Sequence, residues 1–114
     1  MAVAVSVRFP SLTSAKYDEL IAALELDANP PAGLILHVAA EGEGEMVATE
    51  LWRTEQGFRA FYDYRLRPAL LMHAVEGQPS MEIRELHNLF ATEIETIERM
   101  GAVSLPATYA GAAL

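Results

Sequence analysis

The sequence predicts an α+β protein with the ferredoxin-like element order βαββαβ, in which a four-stranded antiparallel sheet carries two helices on one face. Two observations predict this fold class. Apolar runs of strand length occur four times, and apolar residues at helical spacing fill the segment after the first run and the segment after the third. A chain of 114 residues has room for one domain only. We place that domain at residues 1–90, followed by a C-terminal extension of a short helix and a tail at 91–114.

The pattern begins with a strand and an amphipathic helix. Residues 2–9 alternate valine or phenylalanine with small or polar side chains, and a proline ends this predicted strand. The hydroxyl groups of Ser11, Thr13 and Ser14 can cap the helix that follows. Its apolar stripe has the spacing i, i+3, i+4, i+7 and consists of Tyr17, Leu20, Ile21 and Leu24. The prolines at 30–31 end the helix.

A hairpin is predicted to join the second and third strands. Residues 34–39 are nearly all apolar, as in a strand covered on both faces, and residues 46–52 form the returning strand. The turn at 41–45 alternates glutamate with glycine, which supplies positive φ angles at low cost.

The length of this turn stays open at the level of the sequence. A four-residue connection around Gly42-Glu43 and a five-residue connection around Glu43 differ by one residue. Because strand side chains alternate between faces, that difference decides whether His37 and Glu50 share a face of the sheet.

The second helix is expected to begin after Thr54, a good N-cap residue. Its stripe consists of Phe58, Phe61, Tyr62, Arg65 and Leu66, with the arginine as the polar exception. Pro68 is expected to stop or kink it, and a short extra turn through residues 70–73 can follow.

Residues 81–90 are predicted as the fourth strand, with Met81, Ile83 and His87 on one face and Leu86 and Asn88 on the other. Residues 91–100 are compatible with a helix. We expect the tail from Pro106, rich in alanine and glycine, to be poorly ordered unless a partner chain holds it.

Composition excludes several classes of protein. Eight Lys+Arg against sixteen Asp+Glu give a net charge of −8, and no basic cluster is available for phosphate or an anionic membrane surface. The absence of cysteine excludes disulfides, thiolate metal sites and cysteine nucleophiles. The N-terminal segment has the pattern of a strand, not of a signal peptide, so a cytoplasmic protein is expected.

The predicted sheet has one face without helices. The second strand is apolar on both sides, yet both helices lie on the same face. A second copy stacked on the bare face is the simplest cover, so a homodimer is expected.

The segment 51–58, Leu-Trp-Arg-Thr-Glu-Gln-Gly-Phe, combines a strand ending in tryptophan with a capped helix carrying an aromatic residue. Together with the segments 31–37, 61–68 and 86–90, it resembles the dimeric α/β barrel superfamily, in particular the antibiotic biosynthesis monooxygenases. The likeness spans about residues 3–90. It implies two subunits whose sheets stack into one barrel, with a pocket between sheet and helices in each.

The superfamily includes cofactor-free oxygenases of polycyclic aromatic compounds, haem-degrading enzymes and isomerases, so the fold alone does not select a chemistry. For the oxygenase hypothesis, His37 or Glu50 is the candidate catalytic base, since both can exchange a proton with a bound substrate. Trp52 and Tyr62 are candidate walls of the substrate pocket, and Arg65 is a candidate for stabilising substrate charge. Each also has a structural interpretation, as a paired polar residue or as core packing.

His73 lies near the position where haem-degrading relatives carry an iron ligand. However, Phe61 stands where they have a second tryptophan, and Ser6 or Arg8 where they have an asparagine, so haem cleavage is not expected. His73 and His87 are counted instead as candidate substrate-binding residues. His37 and His87 belong to opposite edges of the predicted sheet, so no metal site is expected, and the oxygenase hypothesis needs no cofactor.

Two hypotheses of function follow. The first is a cofactor-independent monooxygenase acting on a small planar apolar or aromatic substrate. The second is a non-catalytic dimeric α/β barrel that binds a small apolar ligand.

Overall fold

The computed structural model describes residues 1–100, and these form the predicted βαββαβ arrangement. The elements follow the order β1 (Val3–Phe9), α1 (Ser14–Leu24), β2 (Leu34–Gly42), β3 (Glu45–Trp52), α2 (Glu55–Phe61), a π-helical turn (Tyr62–Leu66), α3 (Arg67–Met72), β4 (Ser80–Glu85) and α4 (Ile94–Met100). The strands form one antiparallel sheet in the order β2–β3–β1–β4, with β2 and β4 as its edges.

The central strand β1 carries the core of the protein. Its alternate side chains Val3, Val5, Val7 and Phe9 are buried, as the sequence pattern predicts, because they face the helices. On the same face of β3, Met46 and Trp52 are buried beside them.

Both ends of α1 follow from local chemistry. The Thr13 hydroxyl accepts a hydrogen bond from the Lys16 backbone N–H at 3.2 Å, so Thr13 is the N-cap. The helix ends where Glu25 turns into the left-handed region at φ 50°. Leu20 and Ile21 are buried, in agreement with the predicted stripe.

The hairpin has a two-residue loop, Glu43-Gly44, in which Gly44 adopts φ +70°. The centre of this loop lies one residue beyond the centre of the four-residue connection considered above. Both connections place the same side chains of β2 and β3 on each face of the sheet. His37 is therefore the direct cross-strand partner of Glu50, and their side chains share the helix-covered face.

The second helix begins as predicted, with the Thr54 hydroxyl accepting from the Gly57 N–H at 3.0 Å. Phe58 and Phe61 pack on the Trp52 indole at centroid distances of 5.8 and 5.6 Å. These three rings fill the space between α2 and the sheet.

Of the two alternatives for Pro68, a stop is wrong, and the predicted short extra turn after it is present as α3. The chain continues through the π-helical turn into α3, which ends at Met72. In that turn the Arg67 N–H reaches back five residues to the Tyr62 carbonyl. Pro68 then falls in the first turn of α3, a position that proline favours.

The fourth strand is shorter than predicted, since it ends at Glu85 and not at Phe90. Glu85 pairs with Val3, the first residue of β1, so no neighbouring strand remains for the residues beyond it. The Leu86 N–H makes one further bond to the Ala2 carbonyl at 2.9 Å. His87 and Asn88 therefore lie outside the sheet. The predicted tail from Pro106 falls outside the described residues.

The outer face of the sheet is partly exposed to solvent. Val38 on this face is 48% exposed and the neighbouring Ile35 is 47% exposed, so the second strand is covered on one face only. Within residues 1–100, no helix is both long enough and apolar enough to cross a lipid bilayer.

Replacing Phe58 by alanine should lower the free energy of unfolding by about 3–5 kcal/mol, because the ring is fully buried against Trp52. Urea denaturation measures the loss. Tyr64→Ala removes an aromatic ring that is 81% exposed, and should change stability by about 0.5 kcal/mol or less. Equal losses in the two variants would contradict the placement of Phe58.

Candidate functional site

A cavity of about 40 Å³ lies between α1 and the helix-covered face of the sheet. Most of its wall is apolar and comes from α1, β1 and the segments that flank them. Three polar side chains also line it: Tyr17 from α1, His37 from β2 and Glu50 from β3. The Trp52–Phe58 contact fills the neighbouring space under α2, so the cavity occupies the α1 side of the fold.

The three polar residues form one hydrogen-bonded chain. The Tyr17 hydroxyl lies 2.7 Å from His37 Nε2, and His37 Nδ1 lies 2.6 Å from Glu50 Oε2. The other carboxylate oxygen, Oε1, accepts from the Trp52 indole N–H at 2.8 Å. Four side chains from α1, β2 and β3 are thus linked in series, in the order Tyr17–His37–Glu50–Trp52.

The order of these four side chains defines the direction of each hydrogen bond. An indole N–H can only donate, so Glu50 Oε1 accepts from Trp52. With Glu50 as the carboxylate, His37 Nδ1–H donates to Glu50 Oε2, and His37 Nε2 carries no proton and can accept a hydrogen bond. The Tyr17 O–H then donates to Nε2. This is the arrangement of a general base held in one tautomer by a carboxylate.

Tyr17 also stacks on the imidazole, with ring centroids 6.0 Å apart and planes 10° from parallel. Burial raises the pKa of its phenol to about 12, and the Glu50 and Asp18 carboxylates add to the effect. Tyr17 is therefore a neutral hydrogen-bond donor at physiological pH.

The structure brings His37 and Glu50 together in the cavity, but places the other predicted site residues outside its wall. Trp52 is fully buried behind Glu50, and Tyr62 packs on Phe58 at a centroid distance of 6.3 Å. Arg65 donates to the Leu24 carbonyl at 2.9 Å and lies over the Phe61 ring.

Arg65 thus satisfies the C-terminal end of α1. In this structure its guanidinium is not available to a ligand in the cavity.

His73 lies beyond α3, with its Nδ1 2.6 Å from Glu19 Oε2 on α1. This hydrogen bond, with a second from Lys16, lowers the pKa of the Glu19 carboxyl. His73 does not line the cavity.

His87 is exposed beyond β4, at the sheet edge opposite to His37. Among residues 1–100, no three side chains of the metal-ligating types cluster together. Neither His73 nor His87 therefore joins the cavity residues.

Sequence reasoning missed Tyr17 as a site residue, although it identified Tyr17 as part of the helix stripe. The signal was a phenol at the start of a stripe that faces the sheet. The sequence does not show which strand packs against Tyr17, because Tyr17 and His37 are separated by 20 positions.

Several solved structures share this fold. A protein of unknown function from Nitrosomonas europaea is similar with a TM-score of 0.60 and 21% identity, over 80% of this chain and 96% of that one. SnoaB, a cofactor-independent oxygenase from Streptomyces nogalater, is similar with a TM-score of 0.56 and 14% identity, over 80% and 98% of the two chains.

A Streptomyces coelicolor monooxygenase, from the gene ActVA-Orf6, was solved with the ligand Nanaomycin D. It is similar with a TM-score of 0.54 and 17% identity, over 80% of this chain and 92% of that one. These structures are 14–21% identical to the chain, and the likeness confirms the predicted α+β fold with its four-stranded antiparallel sheet. No protein-family model matches the chain, and a comparison with curated proteins finds no match.

Alkaline titration followed by phenolate absorbance should show one tyrosine that ionises near pH 12, and Tyr17→Phe should remove this step. Tyr64→Phe should leave it in place. Because the folded protein retains a proton that the unfolded chain releases near pH 10, stability should fall as pH rises between these two values. Persistence of the late step in Tyr17→Phe would contradict the assignment.

Proposed function

We propose that the protein is a cofactor-independent monooxygenase in which His37 is the general base and Glu50 holds it in the active tautomer. The observation that carries the proposal is the series of hydrogen bonds from Glu50 through His37 to the wall of an apolar cavity. A base supported by a buried carboxylate, in a pocket largely free of other polar groups, is suited to removing a proton from a neutral substrate.

The fold is compatible with this chemistry. One structure with the same fold is a cofactor-independent oxygenase, and another is a monooxygenase with Nanaomycin D bound. We transfer to this chain only the general reaction class, oxygenation of a small planar molecule. Its own residues supply the assignment of the base.

The reaction balances without a cofactor. With His37 as the base, an activated CH₂ group of the substrate loses a proton, and the carbanion transfers electrons to O₂ and forms a C–O bond. The proton returned by His37 gives a hydroperoxide. Loss of water then leaves a carbonyl, so that CH₂ and O₂ become C=O and H₂O. The protein has to position the substrate, remove the proton and stabilise the imidazolium, which Glu50 does.

Entry of a planar substrate requires α1 to move outward, because the cavity measures only about 40 Å³. Such a movement would break the exposed hydrogen bonds of Ser14 with Glu41 and of Glu19 with His73, which contribute little stability. It would also separate the buried side chains Leu20 and Ile21 from the core, and the loss of this burial is the larger part of its cost.

The small volume also favours the second hypothesis, a non-catalytic protein that binds a compact apolar ligand. On that hypothesis the Tyr17–His37–Glu50 chain satisfies buried polar groups and takes no part in a reaction. The activity measurement below separates the two.

We further propose that the protein is a homodimer in which two outer sheet faces stack. Val38 and Leu36 of β2 lie on this face beside Val47 and Leu51 of β3. Leu51 is buried within the chain, whereas Val38 is 48% exposed. A second copy would bury this apolar strip through a two-fold interface, and the dimer would carry a charge of −16, twice that of the chain.

Oxygen uptake with dithranol, a neutral anthrone with an activated CH₂ group, tests the proposed activity. The wild-type protein should accelerate uptake over the spontaneous rate. His37→Ala should reduce kcat by about 100-fold or more, and Glu50→Gln by a smaller factor, because the base then loses its tautomer and its counter-charge.

His87→Ala is the matched control, since this exposed histidine lies outside the cavity, and it should keep the wild-type rate. An unchanged rate in His37→Ala would remove His37 from the mechanism. Binding of dithranol without turnover by the wild-type protein would favour the non-catalytic hypothesis.

Light scattering coupled to gel filtration should give about 25 kDa, twice the chain mass of 12.5 kDa. Val38→Asp should shift the protein toward the monomer, because it buries a charge in the proposed interface. Leu71→Asp, at a residue of α3 that is 76% exposed, should leave the dimer intact. A wild-type mass of 12.5 kDa would contradict the dimer.

A further inference from the structure

We infer that Tyr17 is the residue that meets the substrate, and that it relays the proton between substrate and His37 Nε2. This inference rests on the proposed function and assigns the contact atom of the same site. Tyr17 lines the cavity from α1, and its hydroxyl lies 2.7 Å from the imidazole nitrogen.

The hydrogen bonds that the polar atoms of the cavity already make lead to this assignment. Of the three polar side chains that line the cavity, Glu50 already accepts at both oxygens, from His37 and from Trp52. Both ring nitrogens of His37 are engaged, one with Glu50 and the other with Tyr17. The Tyr17 oxygen donates its single proton to Nε2 and keeps a lone pair with which it can accept.

A substrate in the cavity therefore reaches the base through Tyr17. In the proposed step, the substrate proton passes to the Tyr17 oxygen while the Tyr17 proton passes to His37 Nε2. One C–H bond and one phenol O–H bond break, and a new phenol O–H bond and an imidazolium N–H bond form. The products are a substrate carbanion, a neutral tyrosine, and an imidazolium paired with the Glu50 carboxylate.

The environment of Tyr17 makes the two transfers concerted. Burial and the neighbouring Glu50 and Asp18 carboxylates disfavour a free tyrosinate, so the phenol cannot give up its proton before it receives another. The stacking of the ring on His37 holds the oxygen in line with Nε2. Two protons then move in the same step, and the dependence of the rate on solvent deuterium content measures their number.

Tyr17→Phe tests the relay, because it keeps the ring and its stacking and removes only the hydroxyl. In the dithranol assay, its kcat should fall by at least about 10-fold. The wild-type rate, measured in mixtures of H₂O and D₂O, should depend on the deuterium fraction along a curve, because two protons move in the same step. The residual rate of Tyr17→Phe should depend linearly on deuterium content, for one proton. Tyr64→Phe, at an exposed tyrosine, should match the wild type in both rate and curvature.

Nitrogen NMR of His37 separates a relay from a purely structural role. Tyr17→Phe should keep Nδ1 protonated and Nε2 unprotonated, because Glu50 alone holds the tautomer. A wild-type rate with a curved isotope dependence in Tyr17→Phe would overturn the relay. A faster Tyr17→Phe would also overturn it, since Tyr17 would then only block Nε2. If His37→Ala and Glu50→Gln keep the wild-type rate, the proposed function itself fails.

Discussion

Within residues 1–100, Glu50 is the buried residue with an ionisable side chain, at 6% exposure, and much of the site follows from the need to satisfy it. Placing a carboxylate among apolar side chains is costly unless both oxygens are hydrogen-bonded. Trp52, two residues further along the same face of β3, supplies one donor, and His37 on the adjacent strand supplies the other. The tryptophan side chain is therefore both a core anchor and the partner of a buried charge.

The hydrogen bonds that satisfy Glu50 also affect the placement of α1. Once Glu50 orients the imidazole, the lone pair of His37 Nε2 points toward the helix, and Tyr17 is the α1 side chain that bonds to it. The opposite end of α1 is satisfied by Arg65, which donates to the Leu24 carbonyl. Tyr17, at one end of the hydrogen-bonded series, is consequently the point at which the helix, the sheet and the cavity meet.

The two faces of the sheet have different roles. The covered face contains the core, the buried carboxylate and the cavity. The outer face carries an apolar strip on β2 and β3, with charged side chains such as Arg8 and Arg84 toward β1 and β4. This segregation fits the proposed stacking of two copies, in which the two cavities would lie on the outside of the dimer.

The sequence by itself determined the element order, the core face of β1 and the N-cap Thr54 of α2, and it limited the N-cap of α1 to three residues, because these features depend on the spacing of neighbouring residues and on local hydrogen bonds. It also identified His37 and Glu50 separately as candidates. Only the tertiary structure decided that they meet, since the two-residue loop at Glu43-Gly44 sets the register of the hairpin. It also decided that β4 ends at Glu85, where β1 has no further residue to pair, and that Tyr17 rests on His37. Such contacts join residues far apart in the chain, and they depend on how whole elements pack, which no local pattern encodes.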